Sequence, residues 1–470
     1  MTASEPPAMR VENDPLGEHA VPAAAYWGIH TARAVANFPL LGQPPSAALV
    51  TAMATVKLAC ARTNHELGFL DNAAAGAIAQ ACREMIAGNL AGEIVVDALQ
   101  GGAGTSLNMN VNEVLANRAD ELLGGARGHY TRISPLDHVN LHQSTNDVFP
   151  TALKVAAITL LRRLEKSIAG LQAAFQANET KFADVVKIGR TQLQDACPMT
   201  LGAEFSAWAE ALSRDRWRVF KCEERLRVVN LGGTAIGTGL TAPRDYIFRV
   251  VDKLREETGF GLARAENLVD ATQNADAFVE VSGILKAHAV NLLKISSDLR
   301  LLASGPRTGL GELKLPAVQA GSSIMPGKVN PVICEAVGQA AMLAIGNDAI
   351  VTLAAGSGQL ELNAFLPLLA HALLQSLSVL DAACTIFRTR CVAGIEADRE
   401  ACAAHVARSW ATVAALLPSL GYERAAEVAK EAQATGRSVV DLVIERGLLD
   451  AGTVRRLLSA DAMTALGWRG

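Results

Sequence analysis

The run Gly321-Ser322-Ser323-Ile324-Met325-Pro326-Gly327-Lys328-Val329-Asn330-Pro331 gathers two hydroxyls, a cation and an amide within one short stretch. Glycines frame it, and glycine reaches backbone conformations closed to other residues, so the spacing predicts a loop. Asn330 before Pro331 predicts a helix N-cap with proline at the first helical position. Orphan N–H groups, the helix dipole and the Lys328 ammonium would then all favour an anion beside Ser322 and Ser323. A carboxylate or a phosphate would fit. The same residues also suit a surface loop with an ordinary cap, and local physics does not choose between the two.

Three further segments share this character. Gly101 to Asn108 is a glycine-rich turn carrying Thr105 and Ser106. Gln143-Ser144-Thr145-Asn146-Asp147 stands where a long apolar stripe begins, and Gly189-Arg190-Thr191-Gln192-Leu193-Gln194-Asp195 forms the last cluster. Ser, Thr and Asn at a helix start are capping residues more often than catalytic ones. Four such clusters, far apart in sequence and next to helix ends, are harder to dismiss as capping alone. Other site types are missing from the sequence: it has no HExxH, no paired CxxC and no Walker loop. Gly232, Gly233, Gly237 and Gly239 lack the βαβ context of a dinucleotide fingerprint. His138 and His142 could share a helix face, but without a third ligand capping and packing outweigh metal binding.

Long rods must position these clusters. Leu153, Ala157, Leu160, Leu164, Ile168, Leu171 and Phe175 recur at steps of three and four, as do Phe278 through Leu302 and Leu366 through Phe387. Such stripes predict bundle helices of roughly 25–30 residues, against a usual length of about 11–12. His288 falls on the second stripe, where a packed, hydrogen-bonded histidine is expected. Hydrophobic residues make up 50% of the chain and aromatics 4%, which suits helices packed through small side chains. The predicted fold is mainly α: an N-terminal domain over 1–143 with one strand pair near Val11 to Tyr26, a central long-helix bundle over 144–395, and a small C-terminal helical domain over 396–470.

A formal net charge of −4 gives no nucleic-acid footprint and no polybasic membrane surface. The 8 cysteines are scattered and read as reduced core thiols of a cytoplasmic protein. Met1 to Arg10 lacks an apolar core, so no signal peptide is expected. No uninterrupted apolar run approaches the ~18 residues of a membrane span.

Taken with its neighbours, the run from Gly321 to Pro331 resembles the GSSxMPxKxNP signature of the aspartase/fumarase superfamily. The resemblance extends through the segment around Ser144, Gly189 to Phe205 and Ser296 to Arg307, and covers nearly the whole chain. Within that group the chain most resembles the aspartate ammonia-lyases. Gly101 to Ser106 reads GGAGTS, where fumarases typically have GSGTQS, and residues 144 to 147 read STND rather than SSND. Gln192 stands where fumarases carry a water-activating histidine, and Ser134 to His138 read SPLDH where fumarases show HPNDD. Asn110 to Ala119 and Asp147 to Thr151 lean back toward fumarase. Leu141-His142 fits neither pattern.

The resemblance implies reversible elimination of ammonia from L-aspartate to give fumarate. Ser322 would be the base that removes the C3 proton. Ser144, Thr145 and Thr191 would donate to the resulting aci-carboxylate, with help from the serine loop around Ser323. Lys328 and Asn330 would hold the α-carboxylate, and Thr105, Asn146 and Gln192 would surround the departing amine. Glu335 could act directly or be a surface carboxylate. This chemistry requires no metal and no redox cofactor. Members of the family are homotetramers whose sites combine segments of three subunits, and the same is expected here. The alternatives are a class II fumarase, a lyase for a substituted aspartate, and a structural relative without turnover.

Overall fold

The computed structural model describes residues 8–459, 461, 462, 465 and 467. Most of the N-terminal stretch read for a leader, Met1 to Pro7, lies outside them. The chain opens with an antiparallel hairpin of β1 (Met9–Asp14) and β2 (Gly17–Pro22), the strand pair the sequence suggests. Helices α1 (Ala47–Glu66), α2 (Thr105–Leu122) and α3 (Thr145–Lys181) follow. A second hairpin, β3 (Val186–Thr191) with β4 (Gln194–Thr200), leads into α4 (Leu201–Leu226) and α5 (Asp276–Leu302). After the short strand β5 (Leu313–Lys314) come α6 (Val332–Gly356) and α7 (Leu366–Arg390). Strand β6 (Glu396–Ala397), paired with β5, introduces α8 (Arg399–Arg408) and four short helices, α9 (Val413–Leu420), α10 (Tyr422–Thr435), α11 (Val439–Glu445) and α12 (Ala451–Leu457). The fold is mainly α.

The three apolar stripes fall on α3, α5 and α7, and α3 extends to 37 residues. Two rods escape the stripe pattern. Helix α4 buries Phe205, Trp208, Leu212, Val219 and Cys222 between dense surface charges. Helix α6 is apolar around most of its circumference. Helices Val332–Gly356 and Leu366–Gly394 are long and apolar enough to cross a membrane by length and composition. Polar residues nevertheless interrupt both, and these have partners: Asn347 Nδ2 donates to Gln375 Oε1 at 3.0 Å and Asp381 accepts from Ser167 at 2.6 Å.

Contacts divide the chain into two interleaved units. One comprises 1–164, 218–287 and 343–379; the other comprises 165–217, 288–342 and 380–470. Each of α3, α4, α5, α6 and α7 contributes a segment to both. The boundaries after residues 143 and 395 therefore mark changes in element length, not the limits of these units.

In the first unit, Phe149, Leu153, Ala156, Ala157 and Leu160 of α3 are buried, and Ser282 and Lys286 of α5 both reach Asp348, at 2.8 and 2.5 Å. In the second, Phe175, Phe182, Phe205, Trp208 and Phe387 form an aromatic cluster with ring centroids 4.9–6.0 Å apart, edge-to-face except for the tilted Phe175–Phe205 pair. Beside it His288 Nδ1 meets Asp215 at 3.0 Å and Nε2 meets Cys384 Sγ at 3.3 Å. His288 is thus a packed, hydrogen-bonded histidine. The terminal helices bury Leu416, Val428, Leu442 and Val443 together, and Gly421, Gly436 and Gly447 turn between them with positive φ.

Candidate active site

Three groups of polar residues stand at element ends, one in the first unit and two in the second. In the first unit, the backbone turns sharply before α2: Gly102, Ala103 and Gly104 all have positive φ, and a Cβ on Gly104 would overlap the Phe149 ring. That turn presents Thr105, whose hydroxyl donates to the Gly102 carbonyl at 2.7 Å. At the start of α3, Ser144 Oγ accepts from Asn146 N at 3.2 Å, and Asp147 Oδ1 accepts from Ser144 N at 3.0 Å. This reciprocal pairing is a capping box. Thr145 Oγ1 accepts from Asn108 Nδ2 at 3.0 Å, which draws the ends of α2 and α3 together. Asn146 Nδ2 donates to Ala235 O at 2.8 Å. Thr105, Ser144, Thr145 and Asn146 thus form one neighbourhood.

Beneath these residues lies a buried network that the sequence clusters did not include. Lys57 of α1, fully buried, donates to Asn140 Oδ1 at 2.9 Å and Gln143 Oε1 at 3.0 Å. Asn140 Oδ1 also accepts from Asn108 and Asn112. Asp147 accepts from Gly232 N and Thr234 N, each at 3.0 Å. The glycine-rich stretch thus cradles a protein carboxylate. Burial is the largest influence on both ions: it pushes Lys57 down to about 8 and Asp147 up to about 6. The available signals were a lysine inside the apolar run of α1 and the repeated asparagines in α2, a residue that disfavours helix interiors.

The two histidines considered as metal ligands have other partners. His138 Nδ1 accepts from Ser134 N at 2.8 Å, and His142, at φ 61°, pairs with Asn64 at 2.7 Å between the Phe69 and Tyr246 rings. That packing accounts for His142, which matches neither sequence pattern.

In the second unit, Ser322, Ser323, Lys328 and Asn330 share the loop before α6. Ser322 Oγ accepts from Met325 N at 2.9 Å and Ile324 N at 3.2 Å. The loop closes on itself through Gly321 N to Lys328 O at 2.9 Å. Asn330 is not the N-cap that the sequence predicts. Its Nδ2 donates to the Gly321 carbonyl at 2.7 Å, and α6 begins at Val332. Gly321 is required for close approach, since a Cβ would collide with the Lys328 carbonyl; Gly327 supplies the positive φ of 82°. Ser323 and Lys328 are exposed. Glu335, on the first turn of α6, lies 3.8 Å from Arg300.

The third group does not sit at a helix end as the sequence suggested. Thr191 and Gln192 occupy the tip of the β3–β4 hairpin, where Gln192 and Leu193 have φ of 54° and 62°. Positive φ at both central residues defines a type I′ turn. Residues Thr191 to Asp195 are exposed.

A lyase family model matches residues 17–346, and a model for the fumarase C C-terminus matches 413–465. The chain is 46% identical to the aspartate ammonia-lyase of Bacillus subtilis, over 98% of this chain and 97% of that one. It is 49% identical to that of Pseudomonas aeruginosa, over 97% of both. The chain belongs to the aspartase/fumarase superfamily. Among solved structures of this superfamily, a Brucella melitensis protein described as fumarate lyase:delta crystallin superposes with a TM-score of 0.92 at 50% identity, covering 97% of this chain and 99% of that one. A class II fumarase from Schistosoma mansoni superposes with a TM-score of 0.90 at 34% identity, with the same coverage. The superfamily's long-helix bundle is the fold seen here.

Proposed function

We propose that the protein is a carbon–nitrogen lyase that reversibly eliminates ammonia from L-aspartate to give fumarate. The observation that carries this reading is near-full-length similarity to aspartate ammonia-lyases, at 46% and 49% identity, with the Gly321 to Pro331 run intact. The chemical difficulty is the C3 proton, which is barely acidic beside an ionised carboxylate.

Ser322 is the base in this reading. The N–H groups of Ile324 and Met325 that converge on its oxygen would also stabilise an alkoxide, lowering the cost of ionisation. The C3–H electron pair moves into the adjacent carboxylate, forming an aci-carboxylate with two negative charges. Thr191, Ser144 and Thr145 donate to it; losing one preorganised donor of this kind typically costs about 2.7–4 kcal/mol. Collapse of that intermediate forms the C2–C3 double bond and expels the amine. Thr105, Asn146 and Gln192 surround it. Asn146 Nδ2 is already committed to Ala235, so an ammonium would be met by its Oδ1. Lys328, with Ser323 and the second N–H of the Asn330 amide, holds the α-carboxylate. Neighbouring Gly321 and Gly327 are the points about which the loop would close to exclude water.

The working form in this reading is a cytoplasmic homotetramer in which different chains supply the Thr145 neighbourhood, the hairpin tip and the serine loop. Two observations support it. Met342, Leu343 and Leu353 of α6 are exposed, at 59%, 42% and 71%, which leaves an apolar surface suited to assembly. All eight cysteines are free thiols, as a reducing compartment would keep them. Light scattering tests the assembly; a monodisperse active monomer would overturn it.

Incubation with L-aspartate and, separately, L-malate, following fumarate by ultraviolet absorbance, tests the activity. Fumarate with matching ammonia from aspartate alone is expected. Fumarate from malate alone would make the protein a fumarase with glutamine at position 192.

A further inference from the structure

Glu312, which has no part in the chemistry above, lies fully buried in the second unit between β3 and α8. Its Oε1 accepts from Arg190 Nη2 at 2.8 Å and meets His405 Nδ1 at 3.0 Å. Its Oε2 faces Lys187 Nζ at 3.2 Å, outside hydrogen-bond geometry, while Lys187 is itself anchored by Glu204 at 2.7 Å. The Glu312 main chain is engaged as well: its N–H donates to Leu302 O and its carbonyl accepts from Asp398 N, both at 2.9 Å. Burial, the largest influence, raises this carboxyl. Arg190, Lys187 and His405 together outweigh burial and hold it below the usual carboxylate range. A buried carboxylate is stable only with partners of this kind.

Three of these partners belong to the hairpin or to the helix that covers it. Residues Thr191 to Asp195 are exposed, so packing does not hold the tip. The tip nevertheless keeps two non-glycine residues in the left-handed region, a conformation that persists only where the surroundings impose it. Beyond the ladder itself, two side-chain clamps do so. Arg190, set by a bulge between Ile188 and Arg190, is held by Glu312; Asp195 accepts from Ser409 Oγ at 2.6 Å.

We propose that Glu312 is the positioning residue of the hairpin tip: by fixing Arg190 it sets where Thr191 and Gln192 present their side chains to substrate. The inference rests on the substrate roles given above to Thr191 and Gln192.

The test uses the full-length protein with Glu312→Gln, Arg190→Gln and the double variant. Each single variant is expected to lower kcat for L-aspartate roughly tenfold to a hundredfold, as sub-ångström to ångström misplacement of a donor does, with a smaller change in KM. The double variant should lose little more than the worse single one, because both break the same clamp. Hydrogen exchange across Arg190 to Asp195 should accelerate in all three. Arg190→Gln leaves Glu312 with Lys187 and His405, so it decides the matter if Glu312→Gln does not fold. Folded Arg190→Gln protein with wild-type kcat and wild-type hairpin exchange would overturn the proposal, as would a lowered melting temperature with both unchanged. If the wild-type protein proves inert toward aspartate, the functional reading fails, and the exchange measurement alone decides whether Glu312 holds the tip.

Discussion

Asn330 reaches back across the serine loop to the Gly321 carbonyl at 2.7 Å, so the loop is tied at its two ends by a side chain instead of being capped at one. Removing that tie frees the segment carrying Ser322 and Lys328. Asn330→Ala should therefore lower kcat/KM for L-aspartate roughly five- to 150-fold, equivalent to about 1–3 kcal/mol, with the fold intact by circular dichroism. Unchanged kinetics would show that the loop needs no tie.

Ser322→Ala removes the proposed base but keeps the N–H groups of Ile324 and Met325. Turnover should fall by about 10²–10⁴, with KM little altered. Steady-state fumarate formation across a pH series measures this. Near-normal turnover with an unchanged profile would remove Ser322 from the mechanism.

Lys57 gives stability a pH dependence of definite sign. Its folded value is depressed to about 8 from 10.5, so the cost of burying the charge is fully present below pH 8. Between pH 8 and 10.5 the unfolded chain binds the proton that the folded chain has released. Stability therefore rises across that window, by about 3 kcal/mol from this group. Lys57→Met should abolish the rise. Urea midpoints of both proteins at pH 8 and pH 10 provide the comparison, and parallel behaviour would contradict the assignment.

Asp215 and His288 form a buried pair remote from the serine loop in sequence. Asp215 is also held by Asn291 Nδ2 at 2.9 and 3.0 Å. Asp215→Ala leaves His288 and Asn291 without their carboxylate and should cost about 3–5 kcal/mol of stability. In the protein that does fold, kcat/KM should stay at the wild-type value. A selective loss of kcat at unchanged melting temperature would give the pair a role in turnover.

The proposed sharing of sites between chains makes a sharper prediction than subunit counting. Ser322→Ala and Thr145→Ala proteins are each expected to be nearly inactive. Unfolded together and refolded as a mixture, they should regain activity, because some sites then draw both intact segments from different chains. Mixtures no more active than either parent would place Ser322 and Thr145 of one chain in the same site.

Much of the fold was legible because α3, α5 and α7 repeat apolar residues every third or fourth position without a break. Helix α4 hid its stripe among charges, and α6 is too uniformly apolar to show a face. The β3–β4 hairpin was illegible for a different reason: Gln192 and Leu193 are not the Asn-Gly or Gly-X pair that announces such a turn. Of the candidate site, the loops carrying Thr105, Thr145 and Ser322 could be read from clustered hydroxyls and glycines. Their supports left at most an oddity, such as Lys57 in an apolar run, without naming a partner. Lys57, Asn140 and Glu312 bond to residues distant in sequence, and no local pattern records a partner that only folding brings near.

Seven of the eight cysteines are buried, and Cys197 on β4 is the exposed one. A thiol-selective dye added to the native protein should attach at a single address without any engineering. That address lies in the hairpin that carries Thr191 and Gln192. The chain thus comes with its own attachment point for a fluorescent reporter, one placed to sense changes in the hairpin in real time.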